Sequence, residues 1–224
     1  MRVLTWNIWE GGRDRLGAVE EMLRAHEPDV VALQEANHRA EVEALAGRLG
    51  MELVYGEANS PYAVAWLSRE PVARARNHRL RVLDKTLLEI EVGGLCLCTT
   101  HLSAGRTLAD EPHRIDETRA VLAEVGTSAD VLAGDFNAVH PSDEIGTPPP
   151  DEHLDHVSRT PIELVLAAGF VDCYRELHPD TDGWTYLSWN PWARIDFVFA
   201  RQKPHSCEVV QTDASDHFAV VADL

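Results

Sequence analysis

A series of short apolar runs, each ending in a polar side chain, limits what this chain can fold into. The run VLAGDFN at 131–137 is the clearest case, because its apolar part leads directly to Asp135 and Asn137. Its alternating positions place both polar side chains on one face of an extended segment and Phe136 on the other. Further strands are predicted at 2–8, 29–35, 51–56, 62–68, 76–83, 86–92, 95–102, 193–201 and 217–224.

Helical patterns separate several of these strands. Helices are predicted at 15–28, 41–50, 116–126 and 161–170. Many short strands interleaved with a few helices indicate an α/β (α+β) protein with mixed or antiparallel sheets in layers. The sequence shows no repeat and no long linker, so we expect a single domain over 1–224. The segment 141–156 has neither period and contains three consecutive prolines, which predicts a surface loop.

The balance of charge restricts the class of partner. The chain has 20 Lys and Arg against 37 Asp and Glu, a formal net charge of −17. Such a surface repels nucleic acid and anionic membranes unless a patch is locally basic. The segment 69–85 is such a patch, with six Lys or Arg and two acidic residues, a balance of 6 − 2 = +4. It indicates either a contact with a nucleic-acid backbone or an edge strand protected by charge, and we favour the edge strand.

The cysteines and the first residues bear on the compartment. We expect reduced thiols at Cys96, Cys98, Cys173 and Cys207. The sequence starts with a strand pattern and has no apolar run long enough to cross a membrane. A cytoplasmic protein with no membrane partner is therefore expected.

The polar residues at the strand ends suggest the chemistry. Their oxygen atoms suit Mg²⁺ or Mn²⁺ better than zinc, because carboxylates and amides are hard ligands. The candidate oxygen donors are Asn7, Glu35, Asp135, Asn137 and Asp216. His101 and His217 are candidate proton carriers, and Asp196 is a candidate to orient one imidazole. Together these residues predict a site that hydrolyses a phosphate ester.

Six short motifs carry a resemblance to a known family. In order along 5–217 they are TWN, LQE, TTHL, GDFN, RIDFVF and SDH. A chain with this set resembles the endonuclease/exonuclease/phosphatase superfamily of DNase I-like fold. The resemblance implies a four-layered α/β/β/α sandwich, in which two packed mixed sheets are flanked by helices and the site lies at one edge.

The resemblance also implies roles for the motif residues. Glu35 is similar to the principal metal-binding carboxylate, with Asn7 and Asp216 beside it. Asp135 is similar to the aspartate that orients or deprotonates the attacking water, and Asn137 to its neighbour on the phosphate or the metal.

The histidine motifs imply contacts with the phosphate. His217 is similar to the histidine that contacts the scissile phosphate, with Asp196 as its carboxylate partner. His101 is similar to a second histidine that bonds the phosphate or assists the leaving group. The resemblance leaves open whether Asp135 or the His217–Asp196 pair is the base.

Two segments point to different branches of the family. The TTHL segment with His101 resembles the DNase I, sphingomyelinase, phosphatase and tyrosyl-DNA phosphodiesterase branches. The stretch 169–189 resembles the exonuclease III-like branch. The branch therefore stays open at this point.

Other polar and aromatic residues have two interpretations each. A metal site or substrate-selecting rim is possible in the proline-rich loop, at Asp151, His153, Asp155 and His156, although polar residues are expected there anyway. Base stacking or a loop-anchoring role is open for Trp184, Trp189 and Trp192. A phosphate contact or a solvated helix face is open for Arg106, Arg114 and Arg119.

The sequence thus predicts a Mg²⁺- or Mn²⁺-dependent hydrolase acting on phosphate esters. The favoured substrate is a phosphorylated small molecule or nucleotide, because the chain is acidic. The alternatives are a nuclease acting on DNA or RNA and a binding module that has lost catalysis. The oligomeric state is left open.

Overall fold

Two six-stranded sheets form the centre of the computed structural model, which describes residues 1–105, 107–150 and 157–224. The strands are β1 (Arg2–Asn7), β2 (Val30–Gln34), β3 (Glu52–Gly56), β4 (Val64–Ser68), β5 (Arg74–His78), β6 (Leu87–Val92), β7 (Leu95–His101), β8 (Val131–Asp135), β9 (Val171–Asp172), β10 (Asp196–Ala200), β11 (Ser206–Val210) and β12 (Ala219–Asp223). The first sheet has the order β11-β12-β1-β2-β4-β3, and the second has the order β5-β6-β7-β8-β10-β9. The pairs β1–β2 and β7–β8 are parallel and the other pairs are antiparallel, so both sheets are mixed.

Helices cover the outer face of each sheet, except for the last one, which contributes to the apolar cluster between the sheets. They are α1 (Leu16–His26), α2 (Arg39–Leu49), α3 (Glu111–Val125), α4 (Thr160–Ala167) and α5 (Cys173–Leu177). One apolar cluster joins the first sheet to α1 and α2, a second fills the space between the sheets, and a third joins the second sheet to α3 and α4. This arrangement confirms the predicted four-layered α/β/β/α sandwich.

The faces between the sheets change from apolar to polar along the strands. The inward side chains are Val3, Thr5 and Asn7 along β1, and Val131, Ala133 and Asp135 along β8. A hydrogen-bonded chain crosses the interior midway, from Thr5 Oγ1 to Gln34 and from Gln34 Nε2 to Thr99 Oγ1 at 3.1 Å. The polar ends of both sheets therefore meet at one edge.

Gly134 allows the central strands of the second sheet to approach at that edge. It has φ 144°, and a Cβ there would lie 1.9 Å from the carbonyl oxygen of Thr100 on β7. One residue further on, His101 pairs with Asp135 in the parallel register. A side chain at 134 would thus separate the two strands where they carry site residues.

Several predicted boundaries differ from the structure. Helix α3 begins at Glu111 and not at 116, because Pro112 lies in its first turn, where proline is tolerated. The predicted strand 76–83 continues only to His78, since the chain then turns through hydrogen bonds from Leu80 N and Leu83 N. The prediction did not include α5, β9 and β11. Among the described residues, no helix is long and apolar enough to cross a membrane.

Candidate active site

A cleft of about 290 Å³ opens at the edge where the polar strand ends meet. Seven of the eight predicted site residues line it: Asn7, Glu35, His101, Asp135, Asn137, Asp216 and His217. Asp196, the eighth, is fully buried behind His217. The residues come from both sheets, since β1, β2 and β12 belong to the first and β7, β8 and β10 to the second.

Asp135 is the centre of the hydrogen-bonded group. Its Oδ2 accepts a hydrogen bond from Asn7 Nδ2 at 3.1 Å and lies 3.3 Å from His101 Nε2. Its Oδ1 accepts from the backbone N–H of Asn137 at 2.9 Å. Burial, followed by the charge of Asp196, raises the pKa of Asp135 to about 7.

Strand β8 ends at Asp135, so Asn137 does not lie on the extended segment as predicted. It reaches the cleft from the turn that follows the strand. Asn137 has φ 47°, and its bond to Asp135 closes an Asx turn. The turn after the strand is therefore compatible with a site role for Asn137. Phe136 points into the apolar cluster under α3 and α4, as expected.

His217 and Asp196 form a buried pair. His217 Nδ1 donates to Asp196 Oδ2 at 2.8 Å, and His217 Nε2 lies 3.9 Å from Asp135 Oδ2. Burial alone would lower the pKa of His217, but the charge and hydrogen bond of Asp196 raise it to about 10. Asp196 therefore favours the protonated form of the His217 imidazole, which lies beside Asp135.

His101 is held in a different state. It is buried, and this burial, together with the positive charge of Lys85 and His217, lowers the pKa of His101 well below its usual value. The pKa values of the two histidines are thus displaced in opposite directions, as in tuned catalytic pairs.

Glu35 and Asp216 form the acidic side of the cleft. Glu35 Oε2 accepts from Glu10 N at 2.7 Å, and Glu35 Oε1 accepts from Asn7 Nδ2 at 3.4 Å. Burial raises the pKa of Asp216, and the charge of Glu35 adds to this effect. The Oδ1 of Asn7 accepts from Trp9 N at 3.0 Å, so Asn7 presents its amide nitrogen to the carboxylates in this structure.

Backbone strain is concentrated around the cleft. Among the described residues, six non-glycine residues have positive φ, and four of them line the cleft: Trp9, Glu10, Glu35 and Asn137. Left-handed conformations cost free energy in residues with a Cβ, and they cluster at functional sites. The strain supports the assignment of this edge as the functional one.

Some cleft residues were not among the predicted set. Tyr62, Lys85, Tyr186 and Ile195 line the cleft, and so does Trp9. Tyr186 packs on His217 with ring centroids 4.8 Å apart. A tyrosine at the start of a predicted strand and a lysine in a basic segment carry no pattern that distinguishes them from surface residues, so neither could be identified from the sequence.

Of the three tryptophans, one lines the cleft, one contacts a residue that lines it and one anchors a loop. Trp192 is buried, packs against Tyr186 and lines the cleft. Trp189 is 63% exposed and meets Trp9 with ring centroids 6.1 Å apart. Trp184 donates from Nε1 to the carbonyl of Glu144 and anchors that loop.

The described arginines among these candidates have structural or surface roles. Arg114 is fully buried and donates to the carbonyls of Ser103 and Gly105. Arg119 is exposed and bonds Asp116. Arg106 lies outside the described residues, as do the candidate loop ligands Asp151, His153, Asp155 and His156.

The basic segment 69–85 is partly paired with neighbouring acids. Its strand β5 is at the edge of the second sheet, as favoured from the sequence. Arg74 bonds Glu89 at 2.9 Å, and Arg76 lies 3.4 Å from Glu124. Lys85, at the end of the segment, points into the cleft.

The residue pattern of one known family spans nearly the whole chain. Residues 4–217 match the Endonuclease/Exonuclease/phosphatase family. A comparison with curated protein sequences finds no significant match.

Solved structures with the same fold include several nucleic-acid enzymes. An AP endonuclease from Archaeoglobus fulgidus is similar with a TM-score of 0.81 and 21% identity, over 99% of this chain and 98% of that one. The 3′ phosphatase NExo from Neisseria, solved with a product DNA hairpin, gives 0.83 and 21%, over 100% and 99%. A humanized TDP2 from D. rerio gives 0.75 and 20%, over 99% and 97%. At these identities the likeness establishes a common fold.

Proposed function

Because this chain belongs to the Endonuclease/Exonuclease/phosphatase family, we propose that it hydrolyses a phosphate ester of a small metabolite or nucleotide with a bound divalent metal ion. The observation that carries the proposal is the group around Asp135. It combines a buried carboxylate, a His217–Asp196 pair at 2.8 Å and the acidic side at Glu35 in one cleft. A binding module that has lost catalysis has no need to keep such costly buried charges.

Mg²⁺ or Mn²⁺ is the metal that fits this donor set. Glu35 and Asp216 offer carboxylate oxygens in the cleft, and no cysteine lines the described part of it. The raised pKa of Asp216 also shows that its negative charge is poorly compensated, which a cation would correct. We propose that Glu35 and Asp216 hold the metal, with Asn7 beside them. When bound, the ion supplies a Lewis acid for the phosphate oxygens.

A second group of candidate ligands is less suitable. Ligand atoms of Asp135, Asp196 and His217 lie within 4.8 Å of one another. However, Nδ1 of His217 is engaged with Asp196, and the raised pKa of His217 favours a proton on both ring nitrogens. An imidazolium has no lone pair for a metal.

The two pKa shifts favour Asp135 as the general base. A carboxyl with a pKa of about 7 can accept a proton from water near neutral pH, where general bases work best. The raised pKa of His217 favours its protonated form, which disfavours this role for it. In the proposed step, Asp135 removes a proton from water, the water oxygen attacks phosphorus, and the bond from phosphorus to the leaving oxygen breaks. His217 stabilises the charge on the phosphate, and Asp196 acts as a positioning residue.

The surface charge favours small substrates. The net charge of −17 and the neutralised arginines of β5 leave little attraction for a long duplex. A second candidate function, hydrolysis at the end of a DNA or RNA strand, is favoured by the exposed ring of Trp9 at the cleft and by that of Trp189 beside it. Such rings can stack on a base, and the similar structures from Archaeoglobus and Neisseria are named for enzymes of this kind.

A hydrolysis assay with two classes of substrate tests the proposal. Phosphomonoesters, nucleotides and bis(p-nitrophenyl) phosphate form one arm, and plasmid and single-stranded oligonucleotide form the other. Each is measured with Mg²⁺, Mn²⁺ and EDTA, for the wild type, Asp135→Asn and the exposed control Asp180→Asn. Metal-dependent release from small molecules that only Asp135→Asn loses is the expected result.

The remaining outcomes decide between the alternatives. Cleavage confined to the nucleic-acid arm would replace the proposed substrate class with the second candidate. Turnover that persists in EDTA would refute the metal requirement. Absence of turnover in both arms would count against an enzyme and favour the binding module.

A further inference from the structure

Lys85 is a buried cation beside the proposed catalytic group. It precedes β6 and is only 7% exposed, yet its side chain lines the cleft. Among the described residues that line this cleft, it is the only Lys or Arg. Its ammonium lies 5.9 Å from the ring centroid of Tyr62, and that ring also meets the edge of His101.

A shared carbonyl places Lys85 next to Asn137. The oxygen of Leu102 accepts from Lys85 Nζ at 3.1 Å and from Asn137 Nδ2 at 3.1 Å. An ammonium has three protons and an amide nitrogen has two, so both groups keep donors for a further acceptor. The two donors therefore stand side by side, close to Asp135.

The charge of Lys85 lacks a direct partner in the described part of the chain. No carboxylate oxygen there lies within 4.0 Å of its Nζ. Glu117 accepts from Ser103 and from Asp84 N, and Asp84 accepts from Ser103, while the charge of Asp135 acts on Lys85 without direct contact. Burial lowers the pKa of Lys85, which is the response of a cation removed from water without full compensation. Buried charges are normally paired.

We propose that Lys85, together with Asn137, binds a terminal oxygen of the substrate phosphate and makes the cleft selective for phosphomonoesters over phosphodiesters. This inference rests on the proposed phosphoesterase function and specifies its substrate class. A monoester has three terminal oxygens and a second negative charge, whereas a diester has two terminal oxygens and one charge. His217 and a metal held by the acidic side would contact some of the terminal oxygens and balance part of the negative charge. Lys85 and Asn137 supply two further hydrogen-bond donors, and Lys85 also supplies an additional positive charge.

The test compares monoester and diester hydrolysis in matched variants. The substrates are p-nitrophenyl phosphate and bis(p-nitrophenyl) phosphate, which release the same alcohol. The variants are Lys85→Gln, Lys85→Arg and Lys203→Gln, the last at the only other lysine of the chain, which is exposed and bonds Glu176. Lys85→Gln is expected to lower kcat/KM for the monoester about 10- to 100-fold and for the diester less than about 3-fold. Lys85→Arg should keep most of the preference, and Lys203→Gln should change neither substrate.

An equal fall for both substrates would show that Lys85 only supports the Leu102 segment, and no change would also overturn the proposal. If the wild type hydrolyses neither compound, the phosphoesterase function fails for this class, and a binding measurement decides the role of Lys85. Two lysines give two side-chain ammonium signals in ¹⁵N-lysine NMR spectra. Inorganic phosphate should shift the Lys85 signal and leave Lys203 unmoved, and a titration that moves neither would refute the subsite.

Discussion

Replacing Asp135 with Asn should remove activity and at the same time stabilise the fold at alkaline pH. The pKa of this carboxyl is about 7 in the folded protein and 3.8 in its reference state. Because the folded-state value is the higher one, the folded protein binds more protons, and ionised Asp135 destabilises it as pH rises from 3.8 to 7. A shift of about three units corresponds to about 4 kcal/mol above pH 7.

The net gain will be smaller than this limit. An Asn at 135 can still accept from Asn137 N, but its amide nitrogen would face the donor of Asn7 at the former Oδ2 position. We therefore expect the variant to be more stable than the wild type by about 2–3 kcal/mol at pH 8, and by less at pH 5. Turnover should fall by at least about 100-fold, as for the loss of a general base.

Urea unfolding in EDTA at pH 5 and pH 8 measures the stability difference without metal. Asp180→Asn, an exposed change of the same chemistry, is the control and should show no such pH dependence. A variant that is destabilised equally at both pH values would refute the inference that the buried charge of Asp135 destabilises the folded protein and is retained for function. Retained turnover would refute its role as the base.

Three further predictions concern the surroundings of the site. The wild type should lose stability as pH falls from 7 to 5, because buried His101 resists the proton that the unfolded chain accepts. His101→Gln lacks this loss, so its free energy of unfolding relative to the wild type should rise by up to about 2 kcal/mol over that range. Urea titrations at both pH values test this. Arg194→Met should cost about 3–5 kcal/mol in urea unfolding, because it leaves Asp143 and Asp172 buried without the cation that both contact, at 2.9 and 2.7 Å. Glu35→Gln should weaken Mg²⁺ binding about tenfold or more in calorimetric titrations, and unchanged affinity would remove Glu35 from the metal site.

The strands and their polar ends were accessible from the sequence because both depend on local patterns, whereas the arrangement of the two sheets followed from the family resemblance. An apolar run of period two that ends in a polar residue specifies a strand and the face of its last side chain. Asp135, His101 and Asn7 could therefore be found one at a time, and the family motifs indicated that they would meet. The contact at 3.1 Å between Asn7 and Asp135, which lie in different sheets, follows from packing that no local pattern contains.

Lys85 shows why the rest was not accessible. Its segment has alternating basic residues, and the chain leaves the sheet after His78. The direction of Lys85 then depends on where residues 79–84 turn and on the position of the Leu102 carbonyl, 17 residues away. The buried pair of Arg194 and Asp143, separated by 51 residues, is hidden for the same reason.

The site depends on the fixed relation between the two sheets. Asn7 of the first sheet bonds Asp135 of the second, and a shift of about 1 Å between the sheets would break this bond. The interior resists such a shift at two levels. The apolar cluster between the sheets is close-packed, and Gln34 links Thr5 on one sheet to Thr99 on the other just below the site. The same sandwich that buries the core therefore sets the distances among the proposed catalytic groups, while the strained turns at Glu35 and Asn137 only direct the last side chains into the cleft.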